Sequence, residues 1–232
     1  MDPAFDLPVG QDVKLSASYT ALTPLAFLER SLDVFADKTA IAYGERRLSY
    51  SEFGAAATHL ANALRASGIE RGDRVAYMCP NIPEMLVANF GVPLAGAVMV
   101  PINTRLSAEE VRYICDHSGA KLLVADTEYL PALAPVLGSL QTVQEVVALS
   151  DPLGPASPAA VEHAHISYDE LMARGSGDPL PWTVELACRA AASAQGWGAD
   201  LAVLLSDLFG EGVIGEVTRW LDGREAPLRR GA

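Results

Sequence analysis

The stretch Gly72-Asp73-Arg74-Val75-Ala76-Tyr77-Met78-Cys79-Pro80-Asn81, running on to Pro101-Ile102-Asn103-Thr104-Arg105-Leu106, decides the fold. Val75 to Cys79 is a short apolar run opened by a Gly-Asp turn, the pattern of a buried strand. Pro80 and Pro83 bracket the start of a helix expected over Glu84 to Leu94, and Gly96 ends it. Ala97 to Val100 is again apolar and is closed by Pro101. Two buried strands joined by a helix form a βαβ unit, which pairs its strands in parallel through a right-handed crossover.

Working outward, the same alternation continues on both sides. Thr23 caps a helix with Pro24 at its first position, and Leu25, Leu28, Leu32 and Phe35 give it one apolar face. Thr39 to Tyr43, Gly44-Glu45 and Arg46 to Tyr50 read as a hairpin. Ser49 to Glu52 offers a capping box, with Ser51 as an alternative N-cap, for a helix that Gly68 stops. Ser107 to Glu110 is a second capping box. Leu122 to Ala125 then reads as a third buried strand, Asp126 to Leu137 as a helix edged by prolines, and Val143 to Leu149 as a fourth strand. Asp151 to Pro158 is a linker, Ser167 to Leu171 opens a short helix, and Gly175 to Pro181 is a second linker. Strand and helix in alternation predict an α/β fold with a largely parallel sheet and flanking helices, followed by a short helical tail.

Composition narrows the function classes. The 232 residues suffice for one or two domains, and 50% hydrophobic with 20% charged residues excludes overall disorder. A formal net charge of −12 argues against a nucleic-acid surface. Cys79, Cys115 and Cys188 form no Cys-x-x-Cys pair, which suits reduced thiols in a cytoplasm. Residues near the N-terminus show no apolar signal region, and the apolar segment Val87 to Val100 is broken by Asn89, Gly91, Pro93 and Gly96, so a core segment is expected rather than a membrane span.

Several words recur together. Leu22-Thr23-Pro24-Leu25, Phe27-Leu28-Glu29-Arg30, Leu48-Ser49-Tyr50-Ser51-Glu52-Phe53 and Gly72-Asp73-Arg74-Val75 come first. Asn81-Ile82-Pro83-Glu84-Met85, Gly96-Ala97-Val98, Asn103-Thr104-Arg105-Leu106-Ser107 and His117-Ser118-Gly119-Ala120-Lys121 follow. In this order the chain resembles the N-terminal part of the AMP-forming acyl-CoA synthetases, in the adenylate-forming superfamily. The resemblance divides the chain into an arm (1–19), an incomplete synthetase-like subdomain (20–185) and a helical tail without the family pattern (186–232).

That resemblance implies joining a carboxylic acid, in fatty-acid activation, to AMP and then to coenzyme A, with ATP and magnesium as the complete member's cofactors. A triphosphate must be cradled by backbone N–H groups of a Gly/Ser/Thr-rich loop and by a lysine. The family loop, similar to Ser-Gly-Thr-Thr-Gly-x-Pro-Lys-Gly, has no counterpart here, and the last lysine is Lys121. The expectation is a truncated chain inactive by itself, with no catalytic, cofactor-binding or metal residue assigned. The alternative is a non-catalytic regulatory module docking on a full-length synthetase. A frameshift or deletion, a short paralogue or a real helical module could each account for 186–232; the half-built cleft, which also invites a protein partner, favours the first.

Remaining motifs have plain readings. His163-x-His165 lacks a third ligand for zinc. His117 reads as a cap or surface residue, and Asn103-Thr104-Arg105 as a structural turn. Gly210-Glu211-Gly212-Val213-Ile214-Gly215 spells a dinucleotide fingerprint, but too few residues follow to complete a βαβ unit, so helix punctuation is the better account. Helices are expected over Asp200 to Phe209 and Val213 to Leu221.

Overall fold

A computed structural model describes residues 23–155 and 162–182. The expectations for 1–19, for Cys188 and for the helices and glycine motif of the tail lie outside the described residues.

Helix α1 (Pro24–Phe35) starts as its sequence dictates, with the Thr23 hydroxyl accepting the Ala26 N–H. Strands β1 (Thr39–Tyr43) and β2 (Arg46–Ser49) form an antiparallel hairpin. Helix α2 (Tyr50–Ala66) opens on the full capping box of Ser49 and Glu52, so Ser49 rather than Ser51 is the cap. Strand β3 (Arg74–Met78), helix α3 (Pro83–Ala95) and strand β4 (Val98–Pro101) make the βαβ unit, with β3 and β4 parallel. Helix α4 (Ala108–Ser118) begins on the Ser107–Glu110 box. Strand β5 (Ala120–Asp126), helix α5 (Leu130–Leu137), strand β6 (Glu145–Leu149), the two-residue strand β7 (Ile166–Ser167) and helix α6 (Tyr168–Ala173) follow.

The main sheet has the order β4-β3-β5-β6-β7 with every pairing parallel. Its side chains sort by the period of two that a pleated strand imposes. Val75, Tyr77, Leu122, Val124, Val147 and Leu149 enter one core, with buried residues of α1, α2, α3 and α6. Ala76, Met78, Leu123, Ala125, Val146 and Ala148 enter the other, against α4 and α5. A sheet covered on both faces reads as unbroken apolar runs, as β5 (Ala-Lys-Leu-Leu-Val-Ala-Asp) does.

Two sequence expectations change, and one element was not expected. Asp126 to Tyr129 does not start a helix: Asp126 closes β5, its carboxylate accepts the Glu128 N–H in a tight turn, and Pro131 fixes the first turn of α5 further on. Strand β4 is half-buried rather than buried, because it lies at the sheet edge. Strand β7, too short to leave a periodic signal, extends the other edge.

Helices α2 and α3 pack closely because Gly91 has no side chain. A Cβ there would lie 2.9 Å from the Leu60 Cδ2 and 3.0 Å from the Ala57 carbonyl oxygen.

Candidate functional site

In an open parallel sheet, ligands settle at the carboxyl ends of strands where successive connections leave in opposite directions. Here β3 leads through α3 to β4 on one side, whereas β5 leads through α5 to β6 on the other. Those two helices join opposite cores, so the switch point lies between β3 and β5. Cys79 follows β3 there, Asp126 ends β5 with Thr127 next, and Ser150 and Asp151 follow β6.

The hairpin reaches over this edge. The Tyr43 hydroxyl donates to the Asp151 carboxylate at 2.7 Å. Glu84, in the first turn of α3, takes the Arg46 guanidinium on Oε1 at 2.5 Å, while its Oε2 is buried without a hydrogen-bond partner. Asp126 is 2% exposed; its Oδ1 accepts from the Glu128 N–H at 2.8 Å, and the Asp151 backbone N–H also lies against its carboxylate. The Tyr77 hydroxyl, 0% exposed, pairs with the Tyr168 hydroxyl. A shallow groove of about 260 Å³ lies alongside, lined by residues that include Ile41, Tyr43, Asn81, Ile82, Met85 and Leu86.

Charge in this crevice is unbalanced, with Asp126, Asp151 and Glu84 against Arg46. Its effect is consistent across the neighbours. Burial, then the charges of Asp126, Glu84 and Asp151, push the Cys79 thiol up to about 12. The bond to Asp151 and then burial push the Tyr43 phenol up to about 12. Burial, with the Asp151 charge adding, also holds the Asp126 carboxyl above its ordinary range. Burial raises both Tyr77 and Tyr168.

Such a surface does not fit a triphosphate, which needs donors and cations. Lys121 cannot help, because it opens β5 at the opposite end of the sheet, where its ammonium pairs with Asp73 at 2.7 Å. Nor do the described residues hold a group of three or more His, Cys, Asp or Glu arranged for a metal ion.

The motifs singled out in the sequence fall elsewhere. His165 is tied to β6, its N–H donating to the Val146 carbonyl and its Nδ1 accepting the Val146 N–H, both at 2.8 Å. His163 is exposed. His117 is exposed in the last turn of α4, stacked on Tyr113. Asn103 accepts the Arg105 N–H on its side chain, the structural turn expected of it. Sequence reasoning missed Asp126, Tyr43, Glu84 and Asp151. The available signal was Asp126 itself, a carboxylate closing an apolar strand where a switch point was already implied.

No helix among the described residues is long and apolar enough to cross a membrane.

Comparison with known proteins agrees with the fold. The family described as "AMP-binding enzyme" matches residues 28–199. The chain is 42% identical to 4-hydroxybutyrate--CoA ligase 2 of Metallosphaera sedula, over 76% of its own length and 32% of that protein. It is 31% identical to a peroxisomal butyrate--CoA ligase of Arabidopsis thaliana, over 72% of this chain and 30% of that protein. An anthranilate CoA ligase crystallised with anthranoyl-AMP superposes with a TM-score of 0.59 at 26% identity, covering 67% of this chain and 29% of that one. The N-terminal domain of FACL13 from Mycobacterium tuberculosis gives 0.55 at 27% identity, covering 66% and 36%. The chain spans about a third of the length of the curated relatives it matches. It corresponds to their N-terminal portion, and it belongs to the AMP-binding enzyme family.

Proposed function

We propose that this chain is the N-terminal scaffold of a carboxylate–CoA ligase that activates a fatty or other aliphatic acid, and that residues 1–232 do not catalyse activation by themselves. One observation carries the second half: the switch-point crevice is acidic, and the last lysine of the chain is ion-paired at the far end of the sheet. In the complete ligase, ATP, magnesium and coenzyme A would be held by residues this chain does not supply. The aliphatic preference is supported by relatives named for 4-hydroxybutyrate and butyrate. The domain division is 1–19, 20–185 and 186–232. Two buried free thiols, Cys79 and Cys115, suit a reducing compartment such as the cytoplasm.

The test is carboxylate-dependent ATP–pyrophosphate exchange by the purified chain, freed of host ligases, with butyrate and 4-hydroxybutyrate as acids. The expected rate is that of the protein-free blank.

A second reading, a non-catalytic module that docks on a full-length synthetase, is favoured by the unpartnered Glu84 Oε2 in the crevice. Stable association with an intact ligase, without nucleotide affinity, would support it.

A further inference from the structure

The stretch 175–182 belongs to no helix or strand, so side chains must hold it where a hydrogen-bonded ladder does not. Its start is pinned. The Arg174 guanidinium makes two bonds of 2.8 Å to the Glu145 carboxylate on β6 and another, of 3.1 Å, to the Ser67 hydroxyl at the end of α2. Further back on α2, His59 Nε2 faces the Met172 carbonyl at 2.8 Å, where only an N–H suits the acceptor. Beyond Gly175 the hold passes to Asn62. Its amide nitrogen donates to the Ser176 carbonyl and to the Asp178 carbonyl, both at 2.9 Å. Leu180 and Trp182, both half-buried, then pack on the core that α1, α2, α3 and α6 share.

The seat is tight at one glycine and open at another. A Cβ on Gly175 would lie 2.6 Å from the His59 carbonyl oxygen, 2.9 Å from His59 Cδ2 and 3.0 Å from the Ala63 Cβ. The first of these is helix backbone and cannot turn aside. A Cβ on Gly177 would meet nothing within 4 Å. Gly175 is therefore required by the close approach to α2 and not by a left-handed backbone, which it does not have.

We propose that residues 175–182 form a releasable strap, latched by Asn62, which opens as a unit while the sheet stays folded. A single side chain holds two of its carbonyls, and its apolar hold is two half-buried residues. A segment with so few buried contacts belongs to the low end of local stability. Opening uncovers the surface of α2 around Asn62 and Ala63, and it frees the chain as far as Trp182 to leave in another direction from the fixed point at Arg174. The latch goes beyond the ligase reading and needs no part of it.

The test is limited proteolysis of the native 232-residue chain with endoproteinase Asp-N, following cleavage of the Gly177–Asp178 bond by mass spectrometry. Each rate is divided by that of a free 172–182 peptide with the same residues at 175 and 177, which removes the preference of the protease. Asn62→Leu keeps nearly the same shape without the donors, and Gly175→Ala drives a methyl group into the His59 carbonyl. Each should speed cleavage by about tenfold or more, as expected when two hydrogen bonds or the close fit that shuts the strap are lost. Gly177→Ala, in open space, should leave the rate within about twofold of the parent. The urea midpoint of the whole fold, followed by circular dichroism, should stay at the parent's value in all three variants. Cleavage of Asn62→Leu at the parent's rate, or of Gly175→Ala no faster than Gly177→Ala, would overturn the proposal. A urea midpoint that falls in step with faster cleavage would overturn it too, because the cut would then report global unfolding. Neither nucleotide nor acid enters this experiment, so its failure leaves the ligase reading intact, and pyrophosphate exchange by the chain would leave the latch intact.

Discussion

Replacing Asp126 by asparagine should stabilise this protein at neutral pH, although the residue is one of its most buried. Its carboxylate is held at a buried site beside Asp151, and keeping a charge there costs on the order of 1–3 kcal/mol. Asparagine keeps the Oδ1 acceptor that the Glu128 N–H needs. Its amide then offers donors in a crevice already rich in acceptors from Asp151 and Glu84. The lower end of that range, about 1 kcal/mol, corresponds to a rise of roughly 2–4 °C in Tm for a chain of this size. The sign depends on pH. Burial raises the folded-state pKa of Asp126 above its ordinary 3.8. The group's own contribution to stability is therefore complete below that ordinary value and is lost as pH rises through the raised one. The advantage of Asp126→Asn should appear at pH 7 and vanish near pH 3.5. Thermal unfolding followed by circular dichroism at both pH values measures this. A variant less stable than the parent at pH 7, or displaced equally at both pH values, would refute the reasoning.

Three further outcomes follow from the packing. Leu123→Ala, at a side chain with no solvent exposure facing α4 and α5, should cost about 2–5 kcal/mol in urea unfolding; a loss under 1 kcal/mol would mean the second core is not packed as described. Gly91→Val should cost about 1–3 kcal/mol, since its Cβ alone meets the Ala57 carbonyl at 3.0 Å; an unchanged urea midpoint would show that α2 and α3 separate freely. Cys79 and Cys115, both pushed up to about 12 chiefly by burial, should resist iodoacetamide at pH 8 in the native chain and react after unfolding; peptide mapping by mass spectrometry would detect the opposite.

Much of the fold was legible because local signals agreed. The capping boxes at Ser49, Ser107 and Ser167, the Gly96 and Gly119 stops in the left-handed region, and the apolar runs of β3 and β5 each mark an element without help from the rest. The limits were just as local. An edge position for β4 is a property of strand order, which a sequence of apolar residues does not encode. A two-residue strand such as β7 has no period to detect. The Asp126 turn was hidden because its apolar successors, Leu130 and Leu133, continue a helix-like pattern backward. The crevice was the least legible part: Tyr43, Glu84, Asp126 and Asp151 come from four separate segments, and only the folded sheet brings them together.

The central claim is that this portion of the ligase supplies scaffold and not phosphate chemistry. Carboxylate-dependent ATP–pyrophosphate exchange by the purified 232-residue chain tests it most directly. The account predicts exchange indistinguishable from the protein-free blank with either butyrate or 4-hydroxybutyrate. Exchange that rises with both acid and protein concentration, in a preparation free of host ligases, would contradict it.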